Sequence, residues 1–147
     1  MVSIRLFADN DVDTLQTNLY PDMSAEEIRD MVREWNSGSY QGKRFEMFAV
    51  LRGEEIVGTV SLYALSKSVA SIGAEVFEPY RRSGYAYEAN LLLLDHAKEL
   101  GYRVILNQVR TDNAASIRLN EKLGFETDRY VYRNKKEHPV FLFIKAL

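Results

Sequence analysis

Along the chain, apolar residues switch between a period of two and a period near 3.6, and each switch marks a boundary between elements. "VSIRLF" alternates and predicts a first strand. "DNDVDTLQTNLY" then offers aspartate caps and sets Val12, Leu15 and Leu19 at helical spacing, with Pro21 as the stop. "SAEE", Ser24 to Glu27, has the form of a capping box, in which the serine oxygen and the third-position glutamate each satisfy an orphan amide. The helix it opens would bury Ile28, Met31, Val32 and Trp35. "FEMFAVL" and "EIVGTVSLYAL" are β-rich runs joined at "RGEE", which is hairpin spacing with a glycine for the turn. "VASIGAEVF" follows "SKS", so three consecutive strands are expected as an antiparallel meander.

From about Gly84 to Leu100 the period lengthens again, with Ala86, Ala89, Leu93, Ala97 and Leu100 on one stripe and Gly101 where a left-handed cap belongs. "YRVILNQV" is a strand. "DNAASIRLNEKLGF" is a helix with Asp112 or Asn113 as cap, Ala115, Leu119 and Leu123 inward, and Gly124 then Phe125 as a Schellman-type ending. "ETDRYVYR" and "PVFLFIKAL" close the chain as two strands around a polar loop. The order β-αα-βββ-α-β-α-ββ is an α+β pattern with a mixed sheet. The one polar, turn-like interruption of any length is "NSGSYQGK", residues 36 to 43.

Composition narrows the chemistry. At 147 residues and 46% hydrophobic content the chain has the size of one globular domain, 1–147, with room for a core. A formal net charge of -2 gives no basic footprint for nucleic acid. Without cysteine there is no disulfide, thiolate nucleophile or Cys-ligated metal, and two histidines do not make a His-rich metal site, so no metal is expected. "MVSIRLFADND" lacks a basic segment followed by an apolar one, and no apolar run approaches the roughly 18 to 20 residues of a membrane span. The expectation is a soluble cytoplasmic protein.

The candidate chemistry begins at "RRSGYA", residues 81 to 86, where a strand hands over to a helix. Gly84 could simply begin the helix. Alternatively, Arg82 to Ala86 aim consecutive N–H groups at one point, Gly84 keeps a side chain out of the way, and the helix dipole favours an anion there. No Lys-Ser or Lys-Thr follows a second glycine, so this is not a nucleoside-triphosphate loop.

A second motif, "NAASIRLNEKLGF", residues 113 to 125, follows at a normal separation. Together the two motifs and the element order resemble the GNAT superfamily of acyl-CoA-dependent N-acyltransferases. The form Asn-x-x-Ser then Glu-Lys-x-Gly-Phe looks most like the branch containing the ribosomal-protein N-terminal acetyltransferases. The resemblance implies a central mixed, mostly antiparallel sheet of about seven strands flanked by four helices, and acetyl-CoA as co-substrate. Pantetheine would lie where "AEVF" splays from "ILNQV", bonded to the backbone around Glu75, Val76 and Phe77. The pyrophosphate would sit on Arg81, Arg82, Ser83, Gly84, Tyr85 and Ala86, with Asn113, Ser116 and Asn120 flanking the thioester end. A neutral primary amine, on a small molecule or a peptide N-terminus, would attack directly, so the protein must align two reactants and manage two protons.

The chain departs from the family at the proton-handling positions. Many relatives carry a glutamate where Ser71 or Gln108 stands here, and neither can act as base. Glu75 is the nearest substitute, an even number of residues from Ser71 and hence on the same strand face if no bulge intervenes. Asn120 occupies the position of the family's tyrosine acid and cannot supply a proton. Ser116 fits the branch in which a serine is proposed to do so, and a CoA thiol is itself fairly acidic. These losses leave a CoA-holding or sensor module without turnover as the alternative.

His96 is expected to pack against the core and His138 to be structural. Tyr130 and Tyr132 share a strand face and either pack across strands or line an acceptor pocket. Glu26, Glu27, Asp30 and Glu34 form an acidic face that would border the acceptor entrance, opposite a basic loop, "RNKKEH", so charge does not name the acceptor. A homodimer is possible from the family alone.

Overall fold

The computed structural model describes residues 1–147. The elements are β1 (Ser3–Leu6), α1 (Val12–Asn18), α2 (Ala25–Asn36), β2 (Ser39–Tyr40), β3 (Lys43–Arg52), β4 (Glu55–Ala64), β5 (Val69–Val76), α3 (Tyr85–Glu99), β6 (Val104–Arg110), α4 (Ala114–Lys122), β7 (Tyr132–Arg133) and β8 (Pro139–Ala146), with single 3-10 turns at Asp9–Asp11 and Glu78–Tyr80. The expected α+β order holds. The strands form one sheet in the order β1-β3-β4-β5-β6-β8-β7, with β2 added against β3. Every neighbouring pair is antiparallel except β5 and β6.

Pleat alternation sends the two faces of the sheet to different helices. Phe48, Val50, Val60, Leu62, Ala70, Ile72, Ile105, Val109 and Phe143 pack with Ala89, Leu93 and Ala97 of α3 and Ile117 of α4. Ala49 and Leu51 of β3 pack on the other face with Val12, Leu15, Ile28, Val32 and Trp35 of α1 and α2. Since α1 and α2 sit over the β1–β3 side, that second face of β5, β6 and β8 is left without a helix.

Helix ends follow their sequence signals. Ser24 Oγ accepts from Glu27 N–H at 3.1 Å while Glu27 Oε1 accepts from Ser24 N–H at 3.0 Å. Gly101 and Gly124, both at positive φ, carry Schellman bonds in which Tyr102 donates to Ala97 and Phe125 to Asn120. Asn113, rather than Asp112, caps α4, accepting from Ser116 N–H at 3.1 Å.

Three expectations are corrected. The interruption at residues 36–43 contains a strand, because Gln41 and Gly42 both adopt positive φ and form a tight hairpin turn that pairs Ser39 and Tyr40 with Arg44 and Lys43. The sheet thereby reaches eight strands, in keeping with the expected sheet of about seven. "ETDRYVYR" supplies only the two-residue β7, since the Thr127 and Asp128 side chains accept from the backbone of Arg129 and Tyr130 and compete with a ladder. On α4 the buried residues are Ile117 and Asn120, followed by Leu123, whereas Ala115 is exposed. The helix is rotated so that a polar side chain, Asn120, faces inward.

Candidate active site

β5 and β6 run together only at Val69–Val104 and Ala70–Ile105, and then separate. Asn107 marks the point of separation. Its Oδ1 accepts from Ile72 N–H at 3.0 Å and from Ser71 Oγ at 3.2 Å, replacing the ladder bond that β6 no longer offers. Beyond it lies a cavity of about 160 Å³ lined by Ile72, Gly73, Ala74, Asn90, Gln108 and Ser116 among others. Drug-sized ligands occupy pockets of roughly 300–1,000 Å³, so a slot of this size suits a slender chain. A larger hollow of about 280 Å³, beneath Glu126, Thr127 and Asp128, lies across β8 and is lined by none of the motif residues.

Alternation fixes which backbone groups face the slot. Ile72 N–H points toward β6, so the N–H and C=O of Ala74 and Val76 do as well, while Ser71, Gly73 and Glu75 turn theirs toward β4. β5 pairs with β4 without interruption; the bulge in this region lies in β4, at Val57. A Cβ on Gly58 beside that bulge would collide with the Glu75 carbonyl oxygen, so glycine is required there by the close approach of the two backbones. Ser71 and Glu75 therefore share a face, as expected.

Phe77 does not fit the role given to it. Its N–H donates to Val57 at 2.8 Å, its C=O accepts from Tyr80 at 2.9 Å, and its side chain is buried among the α1 and α2 residues. Ala74 and Val76, rather than Phe77, present the edge of β5, and the Val76 carbonyl already accepts from Arg81 Nε at 3.0 Å.

At the mouth of the slot, "RRSGYA" forms the turn into α3. Arg82 (φ 67°) and Gly84 (φ 80°) are both left-handed, and no atom lies within 4 Å of where a Gly84 Cβ would stand. No side chain caps α3, and from Arg82 to Tyr87 no backbone N–H donates to any group of the protein. This is a row of free donors at the positive end of a 15-residue helix, the arrangement that receives a phosphate group. Arg52 steadies the turn from behind: its guanidinium bonds Tyr85 Oη at 2.9 Å and sits over the rings of Tyr80 and Tyr85. Arg81, Arg82 and Ser83 are exposed around the turn, and Tyr85 and Ala86 are half-buried.

Glu75 and Ser116 fall on opposite sides of the separated strands. Glu75 is exposed on the helix-free face of β5, and Ser116 stands half-buried in the slot on the first turn of α4. Tyr20, in the turn after α1, is near Glu75: burial, and then the negative charge of Glu75, push its phenol above the ordinary value. Asn120 is buried and bonded to Asn107, and Asn113 spends its Oδ1 on capping.

The remaining side chains take the plain roles expected of them or stay outside. His96 bonds Glu46 Oε1 at 3.1 Å and meets the Phe48 ring edge-on. Tyr130 and Tyr132 pack ring against ring at a tilt of 59°, centroids 4.8 Å apart, and remain exposed, and neither lines the slot. Asn90, Asn107 and Tyr20 escaped notice in the sequence. Asn107 and Asn120, two polar residues on inward-facing positions of a strand and a helix, were the one available signal.

Comparison with known proteins agrees with this geometry. A family model described as an acetyltransferase (GNAT) domain matches residues 2–126. The chain is 36% identical over 97 residues to the SPbeta prophage-derived uncharacterized N-acetyltransferase YokL of Bacillus subtilis (strain 168), covering 64% of this chain and 55% of that protein. It is 32% identical over 120 residues to the uncharacterized N-acetyltransferase YoaA of the same organism, covering 76% and 67%. The chain thus spans about half of one curated relative and two thirds of the other. Among solved structures, the ribosomal L7/L12 alpha-N-protein acetyltransferase RimL in complex with coenzyme A superposes with a TM-score of 0.81 over 99% of this chain and 94% of that one, at 20% identity, which shows a shared fold.

Proposed function

This chain belongs to the GNAT acetyltransferase family, and we propose that it moves an acetyl group from acetyl-CoA to a primary amine by direct attack while both are bound. The observation that carries this is the row of unpartnered amides from Arg82 to Tyr87 at the mouth of a slot between β5 and β6. The amides receive the pyrophosphate, the slot receives the pantetheine, and the backbone edge at Ala74 and Val76 offers hydrogen bonds along it. Acetyl-CoA supplies the activated acetyl group, and the protein supplies alignment and proton handling.

The helix-free face of β5 admits the acceptor. A substrate ammonium has a pKa near 10, so it must lose a proton before attack, and Glu75 on that face is the base, with Tyr20 beside it to orient the amine. The donor side is separate: Ser116 faces the leaving sulfur from α4. Acceptors in this class include peptide N-termini and small amines, and the mostly uncharged surface of Ser71, Gly73 and Gln108 around Glu75 does not select between them. A CoA-holding module without turnover remains the rival, favoured by Ser71, Gln108 and Asn120 at positions where relatives carry acid–base groups.

Release of free thiol from acetyl-CoA against a panel of amines and short peptides tests the proposal. Turnover is expected on at least one acceptor. Glu75→Gln should lower kcat/KM by about 100-fold near pH 7, with the deficit shrinking as pH rises toward the amine's own pKa, where no base is needed. Tight acetyl-CoA binding with no release on any acceptor would establish the rival.

A further inference from the structure

Beneath the slot, four side chains join into one hydrogen-bonded row with a single direction. Ser71 Oγ–H donates to Asn107 Oδ1 (3.2 Å), Asn107 Nδ2 donates to Asn120 Oδ1 (3.0 Å), and Asn120 Nδ2 lies 3.5 Å from Ser116 Oγ. Amide orientation in such a row is often arbitrary, but here backbone groups of fixed sense pin both ends. Ile72 N–H donates to Asn107, so the atom facing it must be the oxygen, and Asn107 turns its NH₂ toward Asn120. The Ser116 carbonyl accepts from Asn120 at 2.8 Å, so the atom facing it must be the nitrogen. Neither amide can flip without setting like groups face to face. Asn107 and Asn120 are 7% and 5% exposed, so such a mismatch would be costly.

We propose that Asn107 and Asn120 are positioning residues that set the polarity of Ser116. With an Asn120 N–H presented to its oxygen, the Ser116 hydroxyl is left to point its own hydrogen into the slot. This rests on the acyl-transfer reading of the site, and it assigns roles that the family's tyrosine-bearing pattern does not contain. When the amine nitrogen bonds the acetyl carbon, the C–S bond breaks and its electron pair leaves on sulfur. Glu75, having passed the ammonium's first proton to solvent before attack, takes the second proton that the nitrogen loses as it becomes an amide. The Ser116 O–H donates a hydrogen bond to the departing sulfur, and solvent supplies the proton that completes the thiol. The same Asn107 oxygen stops the β5–β6 ladder at Ile72, so one side chain both opens the slot and anchors the row that serves it.

The test is a double-mutant cycle between Asn120 and Ser116, read as kcat and as KM for acetyl-CoA. Asn120→Asp puts a carboxylate oxygen where the N–H was, so the Ser116 hydroxyl turns backward to donate to it. Asn120→Leu removes the donor without adding a buried charge and serves should the aspartate variant not fold. Either change should lower kcat by about 10-fold with KM for acetyl-CoA nearly unchanged, whereas in a Ser116→Ala background the same change should cost less than about 2-fold. Ser116→Thr, which keeps the hydroxyl, should retain the sensitivity to Asn120. An equal kcat penalty with and without Ser116, or a loss confined to KM, would overturn the positioning role while leaving acyl transfer standing. A parent protein without turnover on any acceptor would overturn acyl transfer itself, and this role with it.

Discussion

The first turns of α2 and α3 face the same physical problem and resolve it in opposite ways. Both helices begin after an extended segment and both expose orphan N–H groups. At α2 the Ser24–Glu27 box closes two of them at 3.0 and 3.1 Å, leaving only the Ala25 and Glu26 amides open. At α3 no side chain reaches back, two residues take left-handed φ, and the amides from Arg82 to Tyr87 are left open beside two arginines. A helix start capped by its own side chains serves stability. One that is left unsealed, with its backbone shaped to keep it so, serves a ligand, and here the β5–β6 slot opens directly in front of it.

Breaking the open turn should have the largest effect. Acetyl-CoA at 100 times its Kd stabilises the fold by about 2.7 kcal/mol, and Gly84→Val should abolish that stabilisation, by filling the space in front of the amides and by forcing a β-branched residue into a left-handed conformation that costs about 1–2 kcal/mol. Thermal melts with and without acetyl-CoA separate the two contributions. Arg82→Gly sharpens the contrast, because glycine suits φ 67° better than arginine does. Stability should stay within about 1 kcal/mol of the parent, while acetyl-CoA affinity measured by calorimetry falls about 10-fold with the loss of a charge-assisted contact.

The sealed turn should behave in reverse. Ser24→Ala should cost about 1 kcal/mol in denaturant unfolding and leave acetyl-CoA affinity where it was. The smallest effect is that of acid. Hydrogen bonds from Ser24, the backbone N–H above all, hold the Glu27 carboxyl below the ordinary glutamate value of 4.5. A group whose folded pKa is lowered stabilises above its unfolded pKa and loses that contribution as pH falls through the folded one. The α2 contribution should therefore fade below about pH 4.5, and Glu27→Gln, which removes the titrating carboxyl, should flatten that part of the pH profile.

Both turns could be located in the sequence, because each is written in a few adjacent letters: "SAEE" names its own hydrogen bonds, and "RRSGYA" names the absence of a cap. What escaped the sequence depends on contacts between distant segments. Asn107 reads as a break in an apolar strand, and Asn120 lies off the expected Ala115–Leu119–Leu123 face, until the fold brings the two within 3.0 Å of each other. Phe77 follows the splayed strand in sequence, but the β4 bulge at Val57 captures its N–H and turns its ring into the opposite core. The shortened β7 had a local signal after all, in Thr127 and Asp128, residues that bond their own backbone in preference to a ladder.

The most direct test is calorimetric titration of acetyl-CoA into the parent, Gly84→Val and Ser24→Ala. Binding by the parent and by Ser24→Ala with the same Kd, and none by a folded Gly84→Val, is the predicted result. A Gly84→Val protein that binds acetyl-CoA as the parent does would contradict the assignment of the open α3 turn as the phosphate cradle.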